Sequence, residues 1–476
     1  MNGSMEAVDG NVKLAGWFSG AGERDKLYER FAERLIVNPD LRRSLVTYQA
    51  DKTKPIYRWL KYKEAFSSPL VEYVLARLHM KPGRLLDPFA GTGTALLASG
   101  SLGWTGLGIE ISPAATLAAE ARIGAANVDH QELSRSISRF SSEFPQMPAA
   151  EGGLPHVPIT RMAFPPQNEQ AIARYREYCL GLPNHGIRVL FRFAGLCVLE
   201  DCSYTKKDGQ FLRWDRRARK PGCGTRFEKG PIADFSTAIT EKLQQIEDDV
   251  LAMGSAANGH EVTVQEGSCL ELLPPLDGDA FDVVMTSPPY CNRYDYTRTY
   301  ALELVYLGLT DDDVKALRQS MLSCTVENHD KMAWLQGVYE SAGRPEQLQQ
   351  AIATCHGNAA LKEALLALER ARGANRLNNP RIVPMVRGYF LEMCVAIGEM
   401  ARVVRPDGYI VMVNDNVRYA GEEIPVDLIL SAFAEEFGLQ AEKIWVLPRG
   451  KGNSSQQMGT HGRAELRKCV YVWRKV

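Results

Sequence analysis

The chain has 476 residues, 45% of them hydrophobic and 24% charged, with a formal net charge of −1. This describes a large folded protein and excludes both a disordered chain and a polycation that binds nucleic acid through overall charge. The ten cysteines are irregularly spaced and set out no disulfide framework. Met1 to Ala15 shows no basic segment followed by an apolar run, and no apolar stretch is long enough to span a bilayer, so a reducing, cytoplasmic setting is expected.

Residues 1–60 read as an N-terminal helical segment. The first clear strand-loop-helix unit is Arg84 to Gly100. Arg84-Leu85-Leu86 is a short apolar strand. Asp87-Pro88-Phe89-Ala90-Gly91-Thr92-Gly93-Thr94 is a tight loop, and Ala95 to Leu102 a helix. Thr105 to Ile111 is the next strand, with Glu110 near its end. This order is one half of a doubly wound α/β sheet, and 61–150 is read as the first part of a catalytic core. Gly91 and Gly93 permit backbone shapes and close approaches that a side chain would block. The loop lies at a strand's carboxyl end, where such sheets bind ligands, and its free N–H groups suit an anionic group. Glu110 is placed to hold two ribose hydroxyls. A nucleoside-containing ligand is the expectation.

From about Glu151 to Phe235 the alternation stops, and Pro, Gly, basic and aromatic residues take over; 151–255 reads as an insertion. Lys206 to Lys229 holds nine basic and three acidic residues. Asp208-Gly209 is a good hairpin turn, and Phe211 and Trp214 interleave with the charge. On a near-neutral chain this is the expected nucleic-acid-facing surface, with Lys206, Lys207, Arg213 and Arg216 as its contacts. Cys197, Cys202 and Cys223 lack a Cys-x-x-Cys pair and a nearby fourth ligand, so no metal site is expected.

Strands resume at Glu261 to Val264 and at Phe281 to Met285 (256–309 being the second core part). After the latter comes Thr286-Ser287-Pro288-Pro289-Tyr290. Two prolines stiffen this loop and remove N–H donors, so it presents acceptors. Ser287 and the carbonyl of Pro288 are its acceptors, and Tyr290 adds an aromatic ring able to stack on a planar group. Cys291 is read as packing. In Asn292 to Tyr300, Arg293 and Tyr294 are the expected substrate contacts. Residues 310–385 read as a helical insertion. The third core part, 386–476, holds a helix at Gly388 to Val404, a strand at Tyr409 to Val413, a helix at Val426 to Phe437, and strands at Glu442 to Leu447 and Lys468 to Trp473. Asn414-Asp415-Asn416 is expected at the same edge as the Pro-Pro loop. The polar loop Gly450 to Met458, with Arg449 and Arg463, reads equally as a segment that closes over a substrate or touches phosphate and as a mobile surface loop.

The Asp87 to Thr94 loop resembles the cofactor motif of amino-directed DNA methyltransferases, and Glu64-Ala65-Phe66-Ser67-Ser68-Pro69-Leu70-Val71 resembles the segment that precedes it there. The resemblance implies a Rossmann-like methyltransferase sheet with an antiparallel last strand, here carrying two insertions. It implies S-adenosyl-L-methionine as cofactor, held by Phe66, Ser67, Asp87, Pro88, Phe89, Ala90, Gly91, Thr92, Gly93, Thr94, Glu110, Ile111, Ser268, Cys269 and Thr286. Ser268 stands where the family often has the Asp that holds the adenine. Ser287, Pro288, Pro289 and Tyr290 would be catalytic. The Ser-Pro-Pro-Tyr form is most similar to the cytosine-N4 members, with adenine-N6 the alternative. Implied partners are double-stranded DNA with a flipped base and a cognate restriction endonuclease, in a bacterial or archaeal cytoplasm at the nucleoid. An RNA or protein amino-group methyltransferase, or a catalytically silent DNA-binding subunit, are the other readings.

Overall fold

Twelve strands organise the described residues of the chain, in a computed structural model that describes 22–62, 64–209, 211–221, 226–253, 261–448 and 466–476. Met1 to Ala15, Cys223 and the Gly450 to Met458 loop with Arg449 and Arg463 lie outside them. The strands are β1 (Leu35–Val37), β2 (Arg84–Asp87), β3 (Thr105–Glu110), β4 (Thr205–Asp208), β5 (Phe211–Trp214), β6 (Val262–Glu266), β7 (Phe281–Thr286), β8 (Val404–Asp415), β9 (Val417–Tyr419), β10 (Glu422–Ile424), β11 (Leu439–Val446) and β12 (Lys468–Lys475). Eight form one sheet in the order β1-β11-β12-β8-β7-β2-β3-β6. β12 is antiparallel to both its neighbours, and the other pairs are parallel. This is the Rossmann-like methyltransferase sheet with an antiparallel last strand. From β2 the chain runs outward to β3 and β6, then returns to β7 on the other side. The strand order therefore reverses between β2 and β7, and a crevice opens at such a switch point.

Both sheet faces are covered, which explains why the strands read as apolar runs rather than as alternation. Along β7, Val283 and Met285 pack with Leu70, Val74 and Leu96 on one face, while Val284 packs with Val386, Phe390 and Met393 on the other. Successive strand side chains point to opposite faces, so one short run feeds two cores. The helix behind the second face, Ile382–Val403, starts six residues before the expected Gly388. Pro384 sits in its first turn, where the missing N–H has no helical partner to lose.

Two stretches differ from expectation. Residues 22–60 hold a helix, Glu23–Phe31, but also β1, which extends the sheet edge by pairing Leu35 with Ile444; three residues are too few to register as a strand pattern. The stretch Glu151 to Phe235, expected to be irregular, contains helices Pro166–Leu180 and His185–Val198. With His130–Glu143 and Phe235–Met253 they form a separate apolar core around Tyr175, Phe191, Phe193 and Phe235. Their small and aromatic residues pack on one another, which local periodicity does not reveal. The basic hairpin β4–β5 projects from this lobe, with Asp208 opposite Phe211 and Gly209 at φ +60° in the turn. In 310–385 the helices are Asp311–Ser320, Met332–Ser341, Pro345–Gly357 and Ala359–Gly373. Thr310 and Asp313 cap the first reciprocally. No helix among the described residues is long and apolar enough to cross a membrane.

Candidate active site

The loop after β2 is shaped by its glycines. Gly91 and Gly93 have φ of +53° and +77°, a region that costs any L side chain. A Cβ on Gly93 would also stand 3.1 Å from that of Ala119. The loop is fastened to β3 by a 2.9 Å bond from Ala90 N–H to the Ile109 carbonyl. Glu110 then reaches back. One of its carboxylate oxygens accepts the Gly91 N–H and the other the Ser112 N–H, each at 2.7 Å. Across the switch point, Thr286 donates its hydroxyl to Asp87 at 2.6 Å, and the same oxygen accepts the Phe89 N–H at 3.1 Å. The ends of β2, β3 and β7 are thereby tied into one rigid corner. Burial pushes both acids up to about 7, against the pull of these hydrogen bonds.

A cavity opens on this corner. Phe66, Asp87, Pro88, Phe89, Ala90, Gly91 and Thr94 line it, with Glu110, Ile111, Ser268 and Cys269 from the neighbouring strand ends. Ser287 and Pro289 line the same space. The structure thus brings the two loops of the sequence analysis, 200 residues apart, onto one cavity.

Six expected residues are not among the lining. Ser67 is fully buried and gives its hydroxyl to the Leu45 carbonyl at 2.7 Å. The Thr92 hydroxyl accepts from buried Arg122 at 2.6 Å, and Thr92 lines a neighbouring cavity instead. Gly93 shapes the turn, and Thr286 braces Asp87. Pro288 is buried in the stiff loop. Tyr290 is half-buried, with its hydroxyl 3.4 Å from that of Ser287 and held well above the usual phenol range by burial.

Sequence reasoning missed one whole wall. Met321, Leu322 and Cys324, from within the supposed helical insertion, line the cavity, as do Tyr62, Glu64 and Tyr296. The wall is held from behind. Glu392 accepts the Ser323 N–H at 2.7 Å and its hydroxyl at 2.5 Å. Lys331 pairs with Glu392 at 2.8 Å and donates to the Met321 carbonyl at 2.6 Å. The side chains of Lys331 and Glu392 are 7% and 3% exposed, a fully enclosed ion pair. Ser268 donates to the Ser320 carbonyl at 3.3 Å, so the expected adenine contact is also a tie to this wall. The signal was slight: a Met-Leu-Ser-Cys-Thr stretch between two helices.

Of the expected substrate contacts, Lys207 and Tyr294 are buried. Lys207 does not face solvent; it is 4% exposed, paired with buried Glu303, and 4.3 Å above the Tyr300 ring. Strand alternation turns it inward while Lys206 turns out. Tyr294 is 6% exposed and packs 4.7 Å from Tyr296, so its ring is not available to a base in this conformation. Arg293, at φ +66°, bonds Asn378 at 2.9 Å. Arg213 and Arg216 are exposed but paired, with Asp208 at 3.2 Å and Glu228 at 2.7 Å. Asn414 and Asn416 brace Tyr389 and Asp427 and are not among the lining residues. Cys291 is fully buried, with its thiol pushed well up by burial, which suits packing rather than nucleophilic attack. Among the described residues no three His, Cys, Asp or Glu side chains form a metal-holding group.

The cavity fits S-adenosyl-L-methionine on chemical grounds. Its lining holds three acids, Glu64, Asp87 and Glu110, and no Lys or Arg. Burial withholds charge from Asp87 and Glu110, so a ligand carrying a sulfonium and an ammonium supplies what the site lacks. Glu110 would hold the ribose hydroxyls, and Phe66, Phe89, Ile111 and Leu270 supply apolar walls.

No family model and no solved structure matches the chain. It is 44% identical over 462 residues to the type II methyltransferase M.AvaI of Nostoc sp. and to that of Anabaena variabilis, covering 94% of this chain and 92% of each relative. It is 36% identical over 470 residues to the type II methyltransferase M.BsoBI of Geobacillus stearothermophilus, covering 95% and 92%. With the sheet, the cofactor corner and the Pro-Pro loop all in place, these full-length relatives show that the chain belongs to the type II DNA methyltransferases, whose methyl donor is S-adenosyl-L-methionine.

Proposed function

We propose that the protein methylates the exocyclic N4 amino group of a cytosine in double-stranded DNA, after that base has left the helix. The observation that carries this reading is the shared cavity. Ser287 and Pro289 line the same space as Asp87 and Glu110, and Thr286, one residue before Ser287, is bonded to Asp87 at 2.6 Å. The cofactor supplies an electrophilic methyl carbon on a sulfonium. The protein's part is to make a conjugated amine attack it. Ser287 Oγ and the Pro288 carbonyl accept the two amino hydrogens, which favours a more tetrahedral nitrogen with its lone pair free. One of those protons leaves the nitrogen as the new bond forms. Tyr290, behind the rigid prolines, offers its ring to the displaced base. A target atom stacked inside an intact duplex cannot reach a site recessed among strand ends, so the base is extruded. The Ser at the head of the tetrad, where N6 enzymes more often have Asp or Asn, supports cytosine. Such site-specific methylation shields DNA from an endonuclease of the same specificity.

Ser287→Ala tests the division of labour. Cofactor affinity by calorimetry should stay within about twofold, while turnover on DNA falls on the order of 10²-fold or more. Equal loss of both would remove Ser287 from the chemistry.

A further inference from the structure

We infer that the β4–β5 hairpin is a wedge: Phe211 at its tip, backed by Arg298, enters the duplex and fills the space left by the displaced base. The inference rests on the reading of the site as one that takes a flipped base from DNA.

Phe211 is 55% exposed, and among the described residues no other phenylalanine or tryptophan is as open to water. A ring exposed at the end of a basic hairpin is placed to meet a partner rather than the protein's own core. The partner's chemistry is written around it. β-strand alternation puts Lys206, Asp208, Phe211 and Arg213 on the outer face, with Lys206 opposite Arg213, and Asp208 opposite Phe211 and paired with Arg213 at 3.2 Å. With the Arg298 guanidinium against the ring, cations outnumber the one acid here three to one, which suits a base stacked between phosphates.

The ring's position ties it to the reaction. The Arg298 guanidinium lies 5.6 Å from the centre of the Phe211 ring. Arg298 belongs to the short helix Tyr296–Thr299, whose first residue, Tyr296, lines the cavity. Phe211 is therefore two residues and one contact away from the wall of the site that would receive the base.

The hairpin is also anchored as a wedge must be. On its inner face Lys207 pairs with Glu303, on the helix Ala301–Leu307 that follows the catalytic loop, and lies over Tyr300. Thr205 is fully buried and bonded to Ser203 at 2.8 Å. At the base of β5, Asp215 takes Arg217 at 2.7 Å and the Lys229 N–H at 2.7 Å, which hold its carboxyl far below the usual range. The root is rigid and the tip is bare. Inserting an apolar side chain between base steps is an established way to hold a duplex open.

The test uses the full-length protein and two duplexes carrying its own methylation site. In one the target cytosine is paired with guanine; in the other it faces an abasic position, so extrusion is already cheap. Phe211→Ala should lower kcat/KM about tenfold on the paired duplex and by less than about threefold on the abasic one, with Phe211→Trp restoring activity. Unchanged cofactor binding by calorimetry shows that the variant is folded. Equal loss on both duplexes, or no loss on either, overturns the wedge. If wild-type protein transfers no methyl group to either duplex, the proposed function falls and the wedge with it; if wild type is active and Phe211→Ala is indifferent, only the wedge falls.

Discussion

Asp87 and Glu110 close adjacent strands with their carboxyls withdrawn from water, and burial pushes each up to about 7. A raised carboxylate pKa means that the folded protein keeps protons the unfolded chain has released. These two groups therefore cost the cofactor-free protein stability as pH rises from the ordinary carboxylate range towards 7. A cationic ligand favours their ionised forms. Affinity for S-adenosyl-L-methionine should rise by severalfold as pH climbs from 6 to 8, measured by calorimetry with the buffer's ionisation heat corrected. A flat or falling affinity would contradict the charge assignment. At this scale the sequence was informative where chemistry is local. Asp87, Glu110 and Ser287 are legible because each sits beside a glycine pair, a strand end or a proline pair. It was silent where the partner is remote. Thr286 looked like a cofactor contact and is a brace for Asp87, 199 residues away. Lys207 counted as surface charge and is a buried strut for Glu303.

Between residues and the whole lies the wall formed by Ser320 to Cys324, which joins the supposed insertion to the cavity. Its position depends on a buried ion pair, and removing one partner of such a pair leaves an uncompensated charge. Lys331→Met should lower stability by about 3–5 kcal/mol, read by urea unfolding, and weaken cofactor binding at temperatures where the variant is folded. The double variant Lys331→Met with Glu392→Leu should recover much of the stability but not the affinity, because the Met321 carbonyl loses its anchor in both variants and Ser323 loses Glu392 in the double one. A single variant as stable as wild type would show that the pair does not hold the wall. The helices of this region were legible from their spacing. The wall between them was not, because a short apolar stretch in a loop carries no period, and its role comes from packing against Ile382–Val403 and the end of β6.

In the whole molecule, a strand order that reverses between β2 and β7 sets the loop after β2 and the Pro-Pro loop side by side. The helical lobe carries the hairpin, and the stretch between the first two helices of 310–385 forms a wall of the cavity. The core sheet was readable from the apolar runs of β2, β3, β7, β8, β11 and β12 and from the order of the two motifs. The lobe was not, since its core around Tyr175 and Phe235 is assembled from helices whose apolar faces meet only in three dimensions. The chain belongs to the type II DNA methyltransferases, and the base we propose that it modifies is the central claim. DNA from a methylation-free host should be treated with the protein and methyl-deuterated S-adenosyl-L-methionine, digested to nucleosides and resolved by mass spectrometry. The account predicts the label in N4-methylcytosine; label in N6-methyladenine, in 5-methylcytosine or in no nucleoside would contradict it.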